Sequence, residues 1–239
     1  MSYEAVLFDL DNTLYPYAPC NEAGKRAALD ALRERGYELD REAFDDLYAT
    51  GRREAKRETG TTAASHDRHI YFKRGLDRRV GEPDVASALA AGDAYWNGYL
   101  GAMSLCDGVE TVFDALATAG TDVAVVTNLT TRVQLRKLVR LGLDDRIDLL
   151  VTSEEVGREK PSALPFTTAL AELDCRPSEA LAVGDNPATD IAGANAVGID
   201  SALFAADGET DEDDGGDRPA NRRPDRRIDA FADLTEVTA

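Results

Sequence analysis

Short apolar runs punctuate the chain at Ala5–Phe8, Val123–Thr127, Leu149–Thr152, Leu181–Val183 and Ser201–Phe204. Runs this brief, without a regular polar face, predict strands buried on both sides, the pattern of a parallel sheet. Helical periodicity fills the intervals between the later runs, over Val109–Ala119, Arg132–Leu141, Ala163–Leu173 and Thr189–Ala196. Alternation of this kind predicts an α/β fold, a Rossmann-like doubly wound parallel sheet covered by helices. Right-handed crossovers then bring every strand's carboxyl end to one rim, where open α/β sheets bind ligands.

Between the first run and Val109 the period changes. Asn21–Arg35, Arg41–Glu58, Ser65–Val80 and Asp84–Leu100 all read as helices, and no strand interrupts them. A stretch of about ninety residues is far longer than a crossover requires. The sequence thus predicts an all-helical domain over 16–105, inserted into a discontinuous core of 1–15 and 106–239. The hinges fall near Tyr15–Pro19 and Cys106–Gly108. Near the end, Asp207–Asp217 packs seven acids among three glycines, and five arginines follow within Arg218–Arg227. Such charge density predicts a solvated, flexible loop over 207–227, after which Ile228–Val237 regains a helical pattern. No internal repeat is visible.

Composition narrows the function. With 43% hydrophobic residues the chain can build a sizeable core. It has no run near the ~20 apolar residues that span a bilayer, and acids precede its first apolar run, unlike a secretory signal. A cytoplasmic protein without a membrane partner is expected. Forty-five acids against twenty-seven bases leave a net charge of −18, which would repel nucleic acid. Acid-rich, lysine-poor chains resemble proteins of salt-accumulating halophiles, in which concentrated salt screens the self-repulsion. Cys20, Cys106 and Cys175 have neither disulfide nor zinc spacing and read as small buried or half-buried residues.

Four motifs carry the chemistry. FDLDNTLYP (8–16) puts Asp9 and Asp11 at the turn leaving the first strand, a carboxylate pair able to divide attack from proton transfer. An Asp-Asn-Thr turn or helix cap explains the same letters. Thr127 and Asn128 end the second strand, where a hydroxyl and backbone N–H groups suit a phosphoryl oxygen, though β-propensity alone also puts threonine there. Lys160-Pro161 precedes a helix and is either a helix start or a cation among rim acids. In GDNPATD (184–190), Asp185 ends the fourth strand and Asp190 lies near the next helix start. Clustered carboxylates repel unless a cation joins them, and oxygen ligands beside phosphate select Mg²⁺. What decides is the conjunction: four distant motifs, each just after a strand, share one rim.

Together the motifs resemble those of the haloacid dehalogenase superfamily, with the helical insertion where that superfamily carries a cap. The resemblance implies a phosphatase working on phosphate monoesters of small metabolites, such as sugar phosphates, phosphoglycolate-like compounds or nucleotides. Asp9 would attack phosphorus and form an aspartyl-phosphate, and Asp11 would protonate the leaving alcohol and later activate water. Thr127, Asn128 and Lys160 would hold the phosphoryl group, Lys160 also stabilising Asp9. Mg²⁺ would take Asp9, Asp185, the Asp11 carbonyl and support from Asp190. Dehalogenase members lack an acid at the position of Asp11, so phosphate-ester hydrolysis is favoured over halide displacement. A phosphomutase, or a non-catalytic sensor or interaction module, are the alternatives.

The insertion is nearly neutral, but residues 51–79 hold nine bases and four acids. Arg52, Arg53, Lys56, Arg57, Lys73, Arg74, Arg78 and Arg79 either draw anionic substrates or pair with acids along their own helices. His66 and His69 read as solvent-exposed rather than as metal ligands. Tyr15, Tyr17 and Trp96 either line a pocket or pack the hinge.

Overall fold

The computed structural model describes residues 3–205 and 219–238, so the acidic segment Asp207–Asp217 lies outside the described residues. The chain divides into two compact units, Met1–Pro16 with Ser104–Asn128 and Leu141–Ala239, and Tyr17–Met103 with Leu129–Arg140.

The first unit is built on a parallel sheet of six strands, β1 (Ala5–Phe8), β2 (Asp122–Thr127), β3 (Leu149–Thr152), β4 (Ala180–Gly184), β5 (Asp200–Phe204) and β6 (Arg226–Ile228). Their order is β3-β2-β1-β4-β5-β6. The chain runs outward from β1 through β2 to β3, then returns to β4 on the other side of β1. Such a reversal leaves a crevice at the carboxyl ends of the two central strands. Register aligns Phe8 with both Val125 and Val183, so residues just past these strands meet at one level.

Successive side chains of a strand point to opposite faces. Ala5 and Leu7 join Ala124, Val126, Ala180 and Ala182 on one face, under Phe166, Leu170 and Ile199. Phe8 points the other way and stacks on Phe113, ring centroids 5.3 Å apart, while Phe231 packs on Phe204 at 4.7 Å. The covering helices are α5 (Val109–Ala119), α7 (Ser153–Val156), α8 (Ala163–Glu172), α9 (Ala192–Val197) and α10 (Ala232–Thr238).

The second unit comprises α1 (Tyr17–Glu34), α2 (Arg41–Thr59), α3 (Arg68–Val80), α4 (Val85–Gly101) and α6 (Thr131–Leu141, all but its last residue). Side chains of Asp40, Asp67 and Asp84 cap α2, α3 and α4 by accepting backbone N–H groups that have no partner within the helix. Pro19 sits in the first turn of α1, where a missing N–H costs nothing. Aromatic residues fill the interior: Tyr48 lies 5.6 Å from Tyr71 and 6.0 Å from Tyr95, ring to ring. Gly51 is what lets α2 and α3 approach, because a Cβ there would stand 1.8 Å from the Tyr71 carbonyl oxygen.

Four expectations need correction. The segment 63–80 is two elements, a short 3₁₀ turn over Ala63–His66 and then α3, because Asp67 caps the second. Arg226 and Arg227, expected in a loop, pair with β5 as an edge strand, which Ile228 closes rather than starting a helix. Charged side chains suit such an edge, since they discourage pairing with another chain. Lys160-Pro161 does not begin a helix; α8 starts two residues later, capped by Ser162. Finally, α6 belongs to the helical unit and not to the cover of the sheet. Arg136 donates to Asn97 Oδ1 at 2.9 Å and Arg140 to the Leu100 carbonyl at 2.9 Å.

Two bases of the basic stretch pair across helices and one along its own helix. Arg74 and Arg78 of α3 reach Glu58 and Glu54 of α2, each at 2.6 Å, whereas Lys73 pairs with Asp77 one turn along. His69 lies between Asp67 and Asp93, 3.3 and 3.1 Å away, and these carboxylates hold its pKa above the ordinary histidine value against the opposing effect of burial. The three cysteines are unbridged, Cys20 buried and the other two half-buried. Among the described residues no helix is long and apolar enough to cross a membrane.

Candidate active site

The sheet gathers the predicted residues of the first unit at the carboxyl ends of β1, β2 and β4. Asp9 continues β1 by one rung, its N–H donating to the Val183 carbonyl at 2.8 Å. Asp185 follows β4, adjacent to β1, so the two carboxylates leave neighbouring strand ends. Asp190 comes from the wide helical turn Pro187–Ile191 that opens α9. Carboxylate oxygens of Asp9, Asp185 and Asp190 all lie within 4.8 Å of one another.

Lys160 holds this group together. Its side chain is 3% exposed; the ammonium donates to Asp9 Oδ1 at 2.6 Å and to the Val126 carbonyl at 2.8 Å, and forms an ion pair with Asp190 Oδ1 at 2.6 Å. Burial works to lower the pKa of Lys160, but Asp190 and Asp9 outweigh it and hold the lysine firmly charged. The backbone of Lys160 is itself clamped. Asn128 Oδ1 accepts from the Lys160 N–H at 2.8 Å, and Asn128 Nδ2 donates to the Lys160 carbonyl at 3.2 Å.

One cation among three close carboxylates leaves an excess of negative charge. Burial pushes Asp9 well above the usual carboxylate range; Lys160 opposes this, while Asp190, Asp185 and Asp11 add to it. Asp185 is pushed up to about 6 by burial and by Asp190, against a hydrogen bond from Asn12 Nδ2 at 2.9 Å. An all-oxygen donor set with this residual charge fits a hard divalent cation such as Mg²⁺.

Asp11 Oδ1 accepts from the buried Tyr15 hydroxyl at 2.5 Å. Thr127 ends β2 as a buried residue. The site also uses residues that motif reading left out. Asn12 adopts a left-handed φ of 66°, which asparagine tolerates better than most residues, and so turns its amide toward Asp185. Thr13, fully buried, donates to Asp9 Oδ2 at 3.3 Å. Both stand inside FDLDNTLYP, where turn propensity masks them. Gly184 is the third: a Cβ there would lie 2.5 Å from the Asp190 carboxyl carbon. Gly184→Ala should therefore displace Asp190, cost about 1–3 kcal/mol in stability, and weaken Mg²⁺ binding at least tenfold. Thermal unfolding and calorimetric Mg²⁺ titration of the variant measure both; unchanged Mg²⁺ affinity would mean that Asp190 is not needed there.

A family model described as haloacid dehalogenase-like hydrolase matches residues 6–204. A ribulose-1,5-bisphosphate 5-phosphatase from Halopiger xanaduensis is 53% identical over 236 residues, covering 98% of this chain and 99% of that protein. A glyceraldehyde 3-phosphate phosphatase from Methanopyrus kandleri is 34% identical over 197 residues, covering 82% of this chain and 81% of its own. Among solved structures, the magnesium-bound HAD-hydrolase YfnB from Bacillus subtilis superposes with a TM-score of 0.73 at 21% identity, covering 100% of this chain and 99% of its own.

Proposed function

The chain belongs to the haloacid dehalogenase-like hydrolase family, and from that premise we propose that it hydrolyses sugar phosphates through Asp9 with Mg²⁺ as cofactor. That it is a phosphoric monoester hydrolase of small phosphorylated metabolites follows from its relatives. The Halopiger protein makes a bisphosphorylated pentulose the first substrate to try.

The observation that carries the mechanism is the contact between Lys160 and Asp9 at the end of β1. Nucleophilic attack requires Asp9 ionised, and Lys160 opposes the burial that would keep it protonated. In this reading an Asp9 oxygen attacks phosphorus, the ester oxygen departs, and the phosphoryl group stays on Asp9 as an acyl phosphate. Asp11, kept in place by Tyr15, gives the departing alkoxide its proton and then takes one from the attacking water. Thr127 at the end of β2 supplies a hydroxyl to a phosphoryl oxygen. Lys160 neutralises charge on that group. Asn128 serves chiefly by clamping Lys160, a smaller role for its side chain than direct substrate contact.

Asp9, Asp185 and Asp190, with the Asp11 carbonyl, would hold Mg²⁺. When bound, it supplies charge neutralisation that lets a carboxylate approach an anionic ester. A pH dependence follows. Asp185 must lose its proton to act as a ligand, so Mg²⁺ affinity should fall about tenfold for each pH unit below about 6. The folded state holds this proton more tightly than an ordinary carboxyl. Metal-free protein therefore loses stability as pH rises from about 4 to about 6, and Mg²⁺ restores it. Mg²⁺ titrations at pH 7.5 and pH 5 check the sign; equal affinity at the two would remove Asp185 from the ligand set.

The test of function is phosphate release from p-nitrophenyl phosphate and from a panel of sugar mono- and bisphosphates, in concentrated KCl, with Mg²⁺ or with EDTA. Mg²⁺-dependent release is expected. Isomerisation of a sugar phosphate without free phosphate would point instead to a phosphomutase.

A further inference from the structure

The helical unit leaves an apolar face uncovered on the hairpin of α3 and α4. Among the described residues, Val80, Val85 and Leu89 of that hairpin are large apolar side chains 44%, 72% and 56% exposed. Val85 and Leu89 lie one turn apart on α4, a spacing that puts both on the same side of the helix. Between the two helices runs a groove of about 230 Å³, floored by Ile70, Pro83, Val85, Ala88 and Leu89. A cavity of ~150 Å³ holds a benzene ring, so this one has room for a branched aliphatic side chain. The first two turns of α4, residues 85–91, hold no charged residue, and a helix that is apolar all round is ordinarily covered all round. Yet Val85, Ala86 and Leu89 are exposed, opposite the buried Ser87, Ala88 and Ala91.

Charge says what can cover that face. Residues 67–93 carry five acids and five bases, so the rest of the chain bears the whole net charge of −18. Two copies of so acidic a chain repel one another over most of their surface, and the hairpin is exempt. Its charges are also sorted. α3 has five bases and one acid, whereas residues 81–101, the turn and α4, have Glu82, Asp84 and Asp93 and no base. Three of the α3 bases are already engaged. Arg68 is buried, its guanidinium 5.2 Å from the Tyr95 ring and 5.1 Å from that of Trp96, and Arg74 and Arg78 pair with α2. Lys73 and Arg79 stay at the surface, Lys73 in the groove wall beside His69 and Asp77. The hairpin thus has a positive edge along α3 and a negative edge along α4.

We propose that this face is a dimer interface, on which a second copy of the chain docks about a two-fold axis lying along the groove. Such an axis sets α3 of each copy over α4 of the other, positive edge over negative edge. Val85 and Leu89 of each copy then meet the groove of the other, where aliphatic contact replaces water. An axis across the groove would set α3 on α3 and bring like charges together. One patch carries both the exposed side chains and the groove that takes them, so the contact closes at two copies and does not run on into chains. The inference concerns association alone and stands whether or not the protein hydrolyses phosphate esters.

The test is analytical ultracentrifugation of the full chain in concentrated KCl, over about 1–100 μM protein. Wild type is expected at twice the mass of one chain. Leu89→Lys puts a charge on the apolar face and should raise the dissociation constant at least about a hundredfold. Val85→Lys, at the more exposed position, repeats the measurement should Leu89→Lys unfold, and circular dichroism of each variant reports its fold. Lys73→Glu gives the α3 edge the sign of the α4 edge and should weaken association about tenfold. Leu135→Lys changes an exposed apolar residue of α6 and should leave the dimer intact. A wild type that stays monomeric throughout would overturn the proposal and give the groove to some other apolar partner. So would a dimer that survives both Leu89→Lys and Val85→Lys, or one that Leu135→Lys dissolves equally. Larger assemblies in place of a closed pair, or an affinity that Lys73→Glu leaves unchanged, would overturn the two-fold axis along the groove.

Discussion

Asp9→Asn should abolish phosphate release, by at least about 10⁴-fold, while leaving the protein folded. Asparagine keeps the shape of the side chain and an oxygen to accept from Lys160, which retains Asp190 as its counter-ion. What disappears is the negative oxygen that attacks phosphorus, and a neutral amide does not replace it. The effect on stability should have the opposite sign. Burial raises Asp9 well above the usual carboxylate range, so the folded state resists its ionisation, and a neutral isostere removes that penalty. Metal-free Asp9→Asn should therefore melt at or above the wild-type temperature at pH 8, and gain less from added Mg²⁺. Phosphate release and thermal unfolding, each with EDTA and with Mg²⁺, give the two readouts. Residual turnover above about one per cent of wild type would remove Asp9 from the nucleophile's role.

Lys160→Met is expected to have the largest effect on the fold itself. The substitution fills a similar volume but leaves Asp9 and Asp190 buried without their shared cation. Removing one member of a buried ionic group typically costs about 3–5 kcal/mol, chiefly because the remaining charges are stranded. Lys160 lowers the pKa of Asp9, so its loss drives that carboxyl still higher. Protonation then relieves the strain at low pH. The variant should be far less stable than wild type at pH 8 and much closer to it at pH 5, with phosphate release down at least about 10³-fold. Mg²⁺ should recover part of the stability by standing in for the lost positive charge. An equal deficit at both pH values would mean that lost packing, not stranded charge, is responsible.

Much of this was legible in the chain because buried parallel strands have a simple signature. Ala5–Phe8 and Leu149–Thr152 match β1 and β3 at both ends, and the residues at strand ends or after them are Thr127, Asp9, Asp185 and, further on, Lys160 and Asp190. β6 was not legible: two arginines and one isoleucine carry no periodicity, and their pairing depends on a neighbour already in place. Nor was the allegiance of α6, since an amphipathic stripe says that a helix buries one face and not against what. Asn12 bonds a side chain from a distant turn and Asn128 a distant backbone, while Thr13 and Tyr15 reach acids four residues back in their own motif, and residue identity alone does not specify those pairings. Arg68 was hidden for the opposite reason. It stands in the most basic stretch of the chain and looks there like any surface cation.

The helical unit is made from two pieces of chain, Tyr17–Met103 and Leu129–Arg140. For anyone wishing to move substrate preference between relatives, the exchangeable cassette is accordingly bipartite. A transplant of the long piece alone would part Trp96 and Tyr99 from Lys137, and Asn97 and Leu100 from the arginines that bond them. Chimeras cut at the obvious boundaries should express poorly, and those that carry the eleven-residue helix along with the insertion should not.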